Sequence, residues 1–87
     1  MTDTTEDIRK IRDQEELTLR LIALTAEWNE HEDVPKSQQY KCRAIGEALH
    51  ELGGMSAMVE AYRDVYRLNR AASVVQAYWD GVGDWQW

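Results

Sequence analysis

Eighty-seven residues, 44% of them hydrophobic and 30% charged, make one small globular domain rather than a disordered chain or a multidomain protein. The formal charge of −6 is concentrated in residues 1–33, where ten acids face four bases, while residues 34–87 balance six against six. That distribution excludes sequence-independent nucleic-acid binding and docking on anionic membranes, which both rest on basic clusters.

No apolar run reaches membrane-spanning length, no signal-peptide pattern is present, and a single cysteine builds no disulfide framework. The expected setting is therefore cytoplasmic. The chain is expected to be all-α, a compact bundle of three to four helices forming a single domain over 1–87.

The first helix is expected over 4–31. Asp3 and Glu6 have the spacing of a capping arrangement, and Asp7 adds negative charge where the helix dipole favours it. No Gly or Pro interrupts the chain before Pro35. Leu17, Leu21, Leu24 and Trp28 form one stripe. Ile8, Ile11, Leu19, Ile22 and Ala26 form another, roughly 150° around at ~100° per residue. Arg20 and Glu27 part the stripes on one side, Thr18 and Thr25 on the other. A helix apolar on two faces needs two partners, and in so short a chain one of them is the C-terminal segment or a second copy.

His31-Glu32-Asp33-Val34-Pro35-Lys36-Ser37 breaks the pattern, and proline suits the first turn of a second helix over 36–52. Cys42, Ile45, Leu49 and Leu52 line its apolar face. Gly46, within it, costs roughly 1 kcal/mol against alanine. Close approach of a neighbouring backbone or a large aromatic ring is the expected compensation. Gly53-Gly54 then reads as a corner, with Gly53 the left-handed end residue. A phosphate-cradling turn would need a preceding strand and more glycines. The third helix, over 55–68, carries Met55, Met58, Val59, Tyr62, Val65 and Tyr66 on one stripe and is expected to pack antiparallel to the second. Its Glu60/Arg63 and Asp64/Arg67 spacings suit local ion pairs, so Arg63, Arg67 and Arg70 read as a solvated face rather than an anion site. A short helix over 71–80 comes next, and 81–87 is an aromatic tail.

Three constellations carry possible chemistry. Glu47 and His50 are a Glu-x-x-His pair, the spacing of di-iron carboxylate bundles, but they lie opposite the face formed by Ile45, Leu49 and Leu52. Glu27 and His31 share a helix face near Asp33, an ordinary grouping at an exposed end. Cys42 has no oriented base: His50 is about 80° around the helix and roughly 12 Å along it. A buried small hydrophobe is the expected role for the thiol. No catalytic residue, metal site or cofactor is assigned. The tail with Trp79, Trp85 and Trp87 reads either as a cap on the small core or as a protein-binding cluster.

With Ile45-Gly46-Glu47, Gly53-Gly54-Met55, Met58 and Trp79-Asp80-Gly81-Val82-Gly83-Asp84-Trp85 in this order, the chain resembles short uncharacterised all-helical bacterial proteins over residues 43–85. No activity attaches to that group, so the resemblance implies a bacterial cytosolic origin and carries over no site residue. The chain length and long first helix are also similar to the small all-helical chorismate mutases. Those enzymes hold a dianion with Arg and Lys, whereas residues 1–33 here are strongly acidic, and that reading is not adopted.

The functional expectation is a non-enzymatic, self-associating adaptor or regulatory module. It would be a homodimer or larger, open to a protein partner, with Leu19, Ile22, Trp28, Trp79, Trp85 and Trp87 as interface candidates. The alternative is a small-ligand or metal-binding protein with its site between protomers.

Overall fold

The computed structural model describes the backbone from residue 4 and the side chains from residue 8. Its regular elements are α1 (Thr4–Thr25), α2 (Lys36–Leu68), a 3-10 segment (Arg70–Val74) and α3 (Val75–Trp79). The chain is all-α, with no strand among the described residues. The Asp3 cap and the side chains of Glu6 and Asp7 lie outside them.

α1 stops at Thr25, six residues short of the expected end at 31, and the cause lies far along the chain. The Asn69 side-chain amide donates to the Thr25 carbonyl at 2.9 Å and to the Trp28 carbonyl at 3.1 Å. In a continuing helix the Thr25 carbonyl would instead accept from residue 29. The Trp28 amide bonds back to Thr25 at 3.0 Å, and its indole turns inward to donate to Gln38 Oε1 at 2.7 Å. Tertiary hydrogen bonds override a local preference for helix. Asn69 is itself extended (φ −148°, ψ 110°), and its side-chain oxygen accepts from the Ala71 amide at 3.0 Å. This ends α2 at Leu68 and winds the first half of the expected 71–80 helix as 3-10.

α2 breaks at Gly54, one residue beyond the expected position, with φ 69° and ψ −156°. That backbone region is essentially reserved for glycine. Gly53 stays helical, and a side chain there would come within 2.9 Å of the Ala57 methyl. One glycine supplies the angle and its neighbour supplies the room. The two arms of α2 both lie along α1, in opposite senses. Gln38 meets Trp28, and Leu52 lies beside Leu17, so residues 36–53 run against α1. Gln14 bonds Glu60 at 2.6 Å and Asn69 reaches Thr25, so residues 55–68 run with it.

The core gathers Leu21, Leu49, Met58, Val65 and Val75 around Trp79, each with almost no exposed surface. Trp79 donates its indole N–H to the Cys42 carbonyl at 2.8 Å. A Cβ on Gly46 would lie 2.5, 2.6 and 2.8 Å from three atoms of that ring. The ring lies flat on the helix backbone, which is the expected compensation for glycine at 46. Trp85 meets Trp79 edge-on (centroids 5.1 Å apart, planes at 86°) and Tyr62 at 5.8 Å. Arg43 closes the end of α3, donating Nη1 to the carbonyls of Tyr78 (3.0 Å) and Asp80 (2.8 Å).

Two substitutions test these contacts. Gly46→Ala gains helix propensity, but it drives a methyl into a ring held by a hydrogen bond, so a net loss of roughly 1–3 kcal/mol is expected from the urea midpoint. Stability at or above wild type would mean that Trp79 is free to shift. Asn69→Ala, which removes three side-chain bonds, should cost about 2–3 kcal/mol. Asn69→Asp should cost more, because it sets a carboxylate against two carbonyls while keeping the bond to Ala71.

Candidate functional site

A groove of about 610 Å³ runs between α1 and the second arm of α2. Its α1 wall is Ile11, Gln14, Thr18 and Ile22, with Leu19 at the lip, and its other wall is Glu60, Asp64, Arg67 and Leu68. Helical spacing explains the α1 wall: 11, 14, 18 and 22 recur at steps of three and four. The floor is fixed by Thr18 Oγ1 donating to the Gln14 carbonyl at 2.8 Å and by the Gln14–Glu60 bond. Apolar side chains stand at the rim. Leu68 is 69% exposed, Leu19 64% and Ile11 60%, and Ile8, one turn further out, is 49% exposed. Four large aliphatic residues in one strip are costly to leave in water, at about 25 cal/mol per Å² of apolar surface.

The remaining interface candidates divide. Ile22 is half-buried and packs on the core from the end of the groove. Trp28, Trp79 and Trp85 are in the core of their own chain, with 8%, 0% and 8% exposure. Their surface is covered by Tyr78, Tyr62 and each other. Trp87 stands out at 70% exposure, its backbone amide tied to Asp80 Oδ1 at 3.0 Å. The tail thus acts as a cap on the core and leaves one indole outside.

The Glu47/His50 and Glu27/His31 candidates are not brought together. Glu47 pairs with Arg43 at 3.4 Å, and the His50 ring is packed against the Gly83 backbone. Glu27 and His31 sit exposed in the turn after α1, where the His31 amide bonds Asn29 Oδ1 at 2.9 Å. No cluster of three or more His, Cys, Asp or Glu side chains that could hold a metal exists among the described residues. Neither Glu60/Arg63 nor Asp64/Arg67 closes an ion pair; the pairs that do form among the described residues are Arg20–Glu16 and Arg43–Glu47.

Cys42 is fully buried beneath Trp79, and that burial pushes its thiol up from 9.0 to about 12, with the nearby indole pulling slightly the other way. A neutral, enclosed thiol is a poor nucleophile. Leu68 is absent from the expected interface residues. The sequence carries no signal for its exposure: Leu68 continues the buried row of Ala57, Ala61 and Val65 at helical spacing, and stands out only because α2 ends there.

No described helix is long and apolar enough to cross a membrane. No family model, curated protein or solved structure matches the chain.

The buried thiol sets an alkaline limit. Its folded pKa lies above its unfolded value, so the stability it contributes is complete below pH 9 and is lost as pH rises toward 12. Tyr62 and Tyr78 are raised from 10.0, chiefly by burial, and act in the same direction. The urea midpoint should therefore fall above pH 9, and Cys42→Ala should flatten the fall. A midpoint unchanged up to pH 11 would contradict the enclosure of these groups.

Proposed function

We propose that this protein is a non-enzymatic, self-associating helical module that works through protein–protein contacts, with a homodimer as its smallest assembly. The observation that carries this reading is the aliphatic lining of the groove: Ile11, Leu19 and Leu68 stand exposed in it, and exposed Ile8 extends the α1 side by one turn. Scattered exposed apolar residues are ordinary, whereas a contiguous patch bordered by charge is the usual mark of an interaction surface. Here Glu60, Asp64 and Arg67 border it on one side, and Glu15 interrupts it between Ile11 and Leu19.

In this reading α1 and the two arms of α2 form a three-helix bundle capped by α3. α1 turns one apolar face to the core and offers the other to the groove. The module is read as cytosolic, and a further protein partner would share or adjoin the same strip. The alternative of a metal or small-ligand site between protomers draws no support from Glu47 and His50, which are engaged by Arg43 and Gly83.

Sedimentation velocity across a wide concentration range tests the reading. Wild type should associate reversibly, and Leu19→Glu should remain monomeric with its helical circular dichroism intact. In a two-fold dimer the substitution acts twice, so association should weaken by about 100-fold or more. Ile22→Glu should also dissociate the assembly, with some loss of stability because Ile22 touches the core. A wild-type chain that stays monomeric at millimolar concentration would end this reading.

A further inference from the structure

We infer that Gly54 is a hinge through which two copies of this chain exchange residues 55–87, giving a domain-swapped dimer when chains fold together at high concentration. The exchange goes beyond the self-association proposed above and does not use the groove.

The reversal of α2 is made by one residue. Of the 33 residues from Lys36 to Leu68, Gly54 alone leaves helical φ and ψ. Rotating it into the helical region makes α2 a single rod of about 50 Å. A one-residue connection has no slack, so the two arms are either folded back or in line. Short hinges of this kind are where chains exchange elements.

Both glycines serve the bent form alone. An L side chain at φ 69°, ψ −156° is strained even though no atom lies within 4 Å of a Cβ built on Gly54. A Cβ on Gly53 would lie 2.9 Å from the Ala57 methyl. In a straight helix, Cβ atoms four residues apart keep a distance of about 5–6 Å. The straight form needs neither glycine, and each one weakens it. The choice between the two forms therefore rests on the absence of side chains at this corner.

The contacts of residues 55–87 transfer whole. Glu60 meets Gln14, Asn69 meets Thr25, Arg43 holds the Tyr78 and Asp80 carbonyls, and Trp79 bonds the Cys42 carbonyl. The nearest of these to the hinge, at Glu60, is six residues beyond it. A straightened α2 carries residues 55–87 away from their own α1 and onto the second copy, which returns the exchange. Each bond is then made between copies, and Trp79 sits on the partner's Gly46. Two monomers and one swapped dimer differ at the hinge and in the entropy of association, so concentration decides between them. A folded monomer opens only by giving up its core, so the exchange takes place during folding.

Spin labels on Lys41→Cys and Arg63→Cys report the hinge, since both positions are exposed and the native Cys42 is enclosed. Folded back, the two positions lie roughly 10–15 Å apart across packed helices; in line, they lie roughly 33 Å apart. Doubly labelled chain is mixed with a large excess of unlabelled chain, so that only distances within one chain are seen. All chains carry Leu19→Glu to disable the groove. Refolded from urea at low concentration, they should be monomers with the short distance; refolded at high concentration, a dimer with the long distance should elute. Gly54→Ala should raise the association constant by about a thousandfold or more, because both hinges of the dimer gain. Gly54→D-Ala, introduced by ligating a synthetic 42–87 segment at Cys42, should refold as a monomer at every concentration. Its bent conformation is the mirror image of ordinary extended backbone, and a right-handed helix disfavours a D residue. If Gly54→Ala folds poorly, the chains with glycine and with D-alanine still decide. A dimer showing only the short distance, or a glycine chain that stays monomeric after refolding at millimolar concentration, would overturn the inference. Neither result bears on the groove, whose own test needs no unfolding.

Discussion

The packing of the Trp79 ring on the bare backbone at Gly46 is the constraint on which most of the structure depends. The largest side chain of the core lies flat on a helix only where that helix presents no Cβ, and its N–H finds an acceptor in the Cys42 carbonyl one turn earlier. Once Trp79 is seated, α3 is held across the first arm of α2 and its end falls within reach of Arg43. The Asp80–Trp87 tail is then wound tightly, with Val82 bonding back to Trp79 at 2.8 Å and Gly81 donating to Trp85 at 3.0 Å. Trp85 closes the stack against Trp79 and Tyr62. A chain without phenylalanine thereby builds its core from indoles, each oriented by an edge-to-face contact.

Asn69 is a second staple, and it works on the opposite end. Three hydrogen bonds from one amide side chain end α1, fix the extended residue after α2 and start the 3-10 segment. By stopping α1 at Thr25 it lets Trp28 fold inward, and it holds the end of the second arm beside α1. The groove exists because these two helices are clamped at Thr25–Asn69 and bridged at Gln14–Glu60, with their outward aliphatic residues left over.

Much of this was legible in the order of residues. The all-α class, the glycine corner and the need for a ring or backbone over Gly46 all derive from helical spacing and glycine's lack of a side chain. The strip of Ile8, Ile11, Leu19 and Ile22 was visible as a periodicity distinct from that of Leu17, Leu21 and Leu24. The end of α1 was not, because it depends on a hydrogen bond spanning 44 residues. His50 shows a similar limit. Its angle on the helix points away from the buried stripe, yet the tail folds over it and brings Gly83 against the ring. Trp28, Trp79 and Trp85 illustrate why aromatic clusters are ambiguous in sequence. The same residues serve a core or an interface, and the choice is made by whether a turn such as Gly81–Val82–Gly83 returns the chain to the body.

The division of labour that emerges is a chain whose Trp28, Trp79 and Trp85 are used internally and whose aliphatic residues on α1 face outward. Backbone hydrogen exchange, recorded on dilute and on concentrated protein, tests that division most directly, since association slows local opening only where it covers the surface. The account predicts slower exchange at high concentration in residues 8–22 and 60–68, with residues 79–87 unchanged. Slowing confined to residues 79–87 would place the interface on the aromatic tail instead and contradict the account.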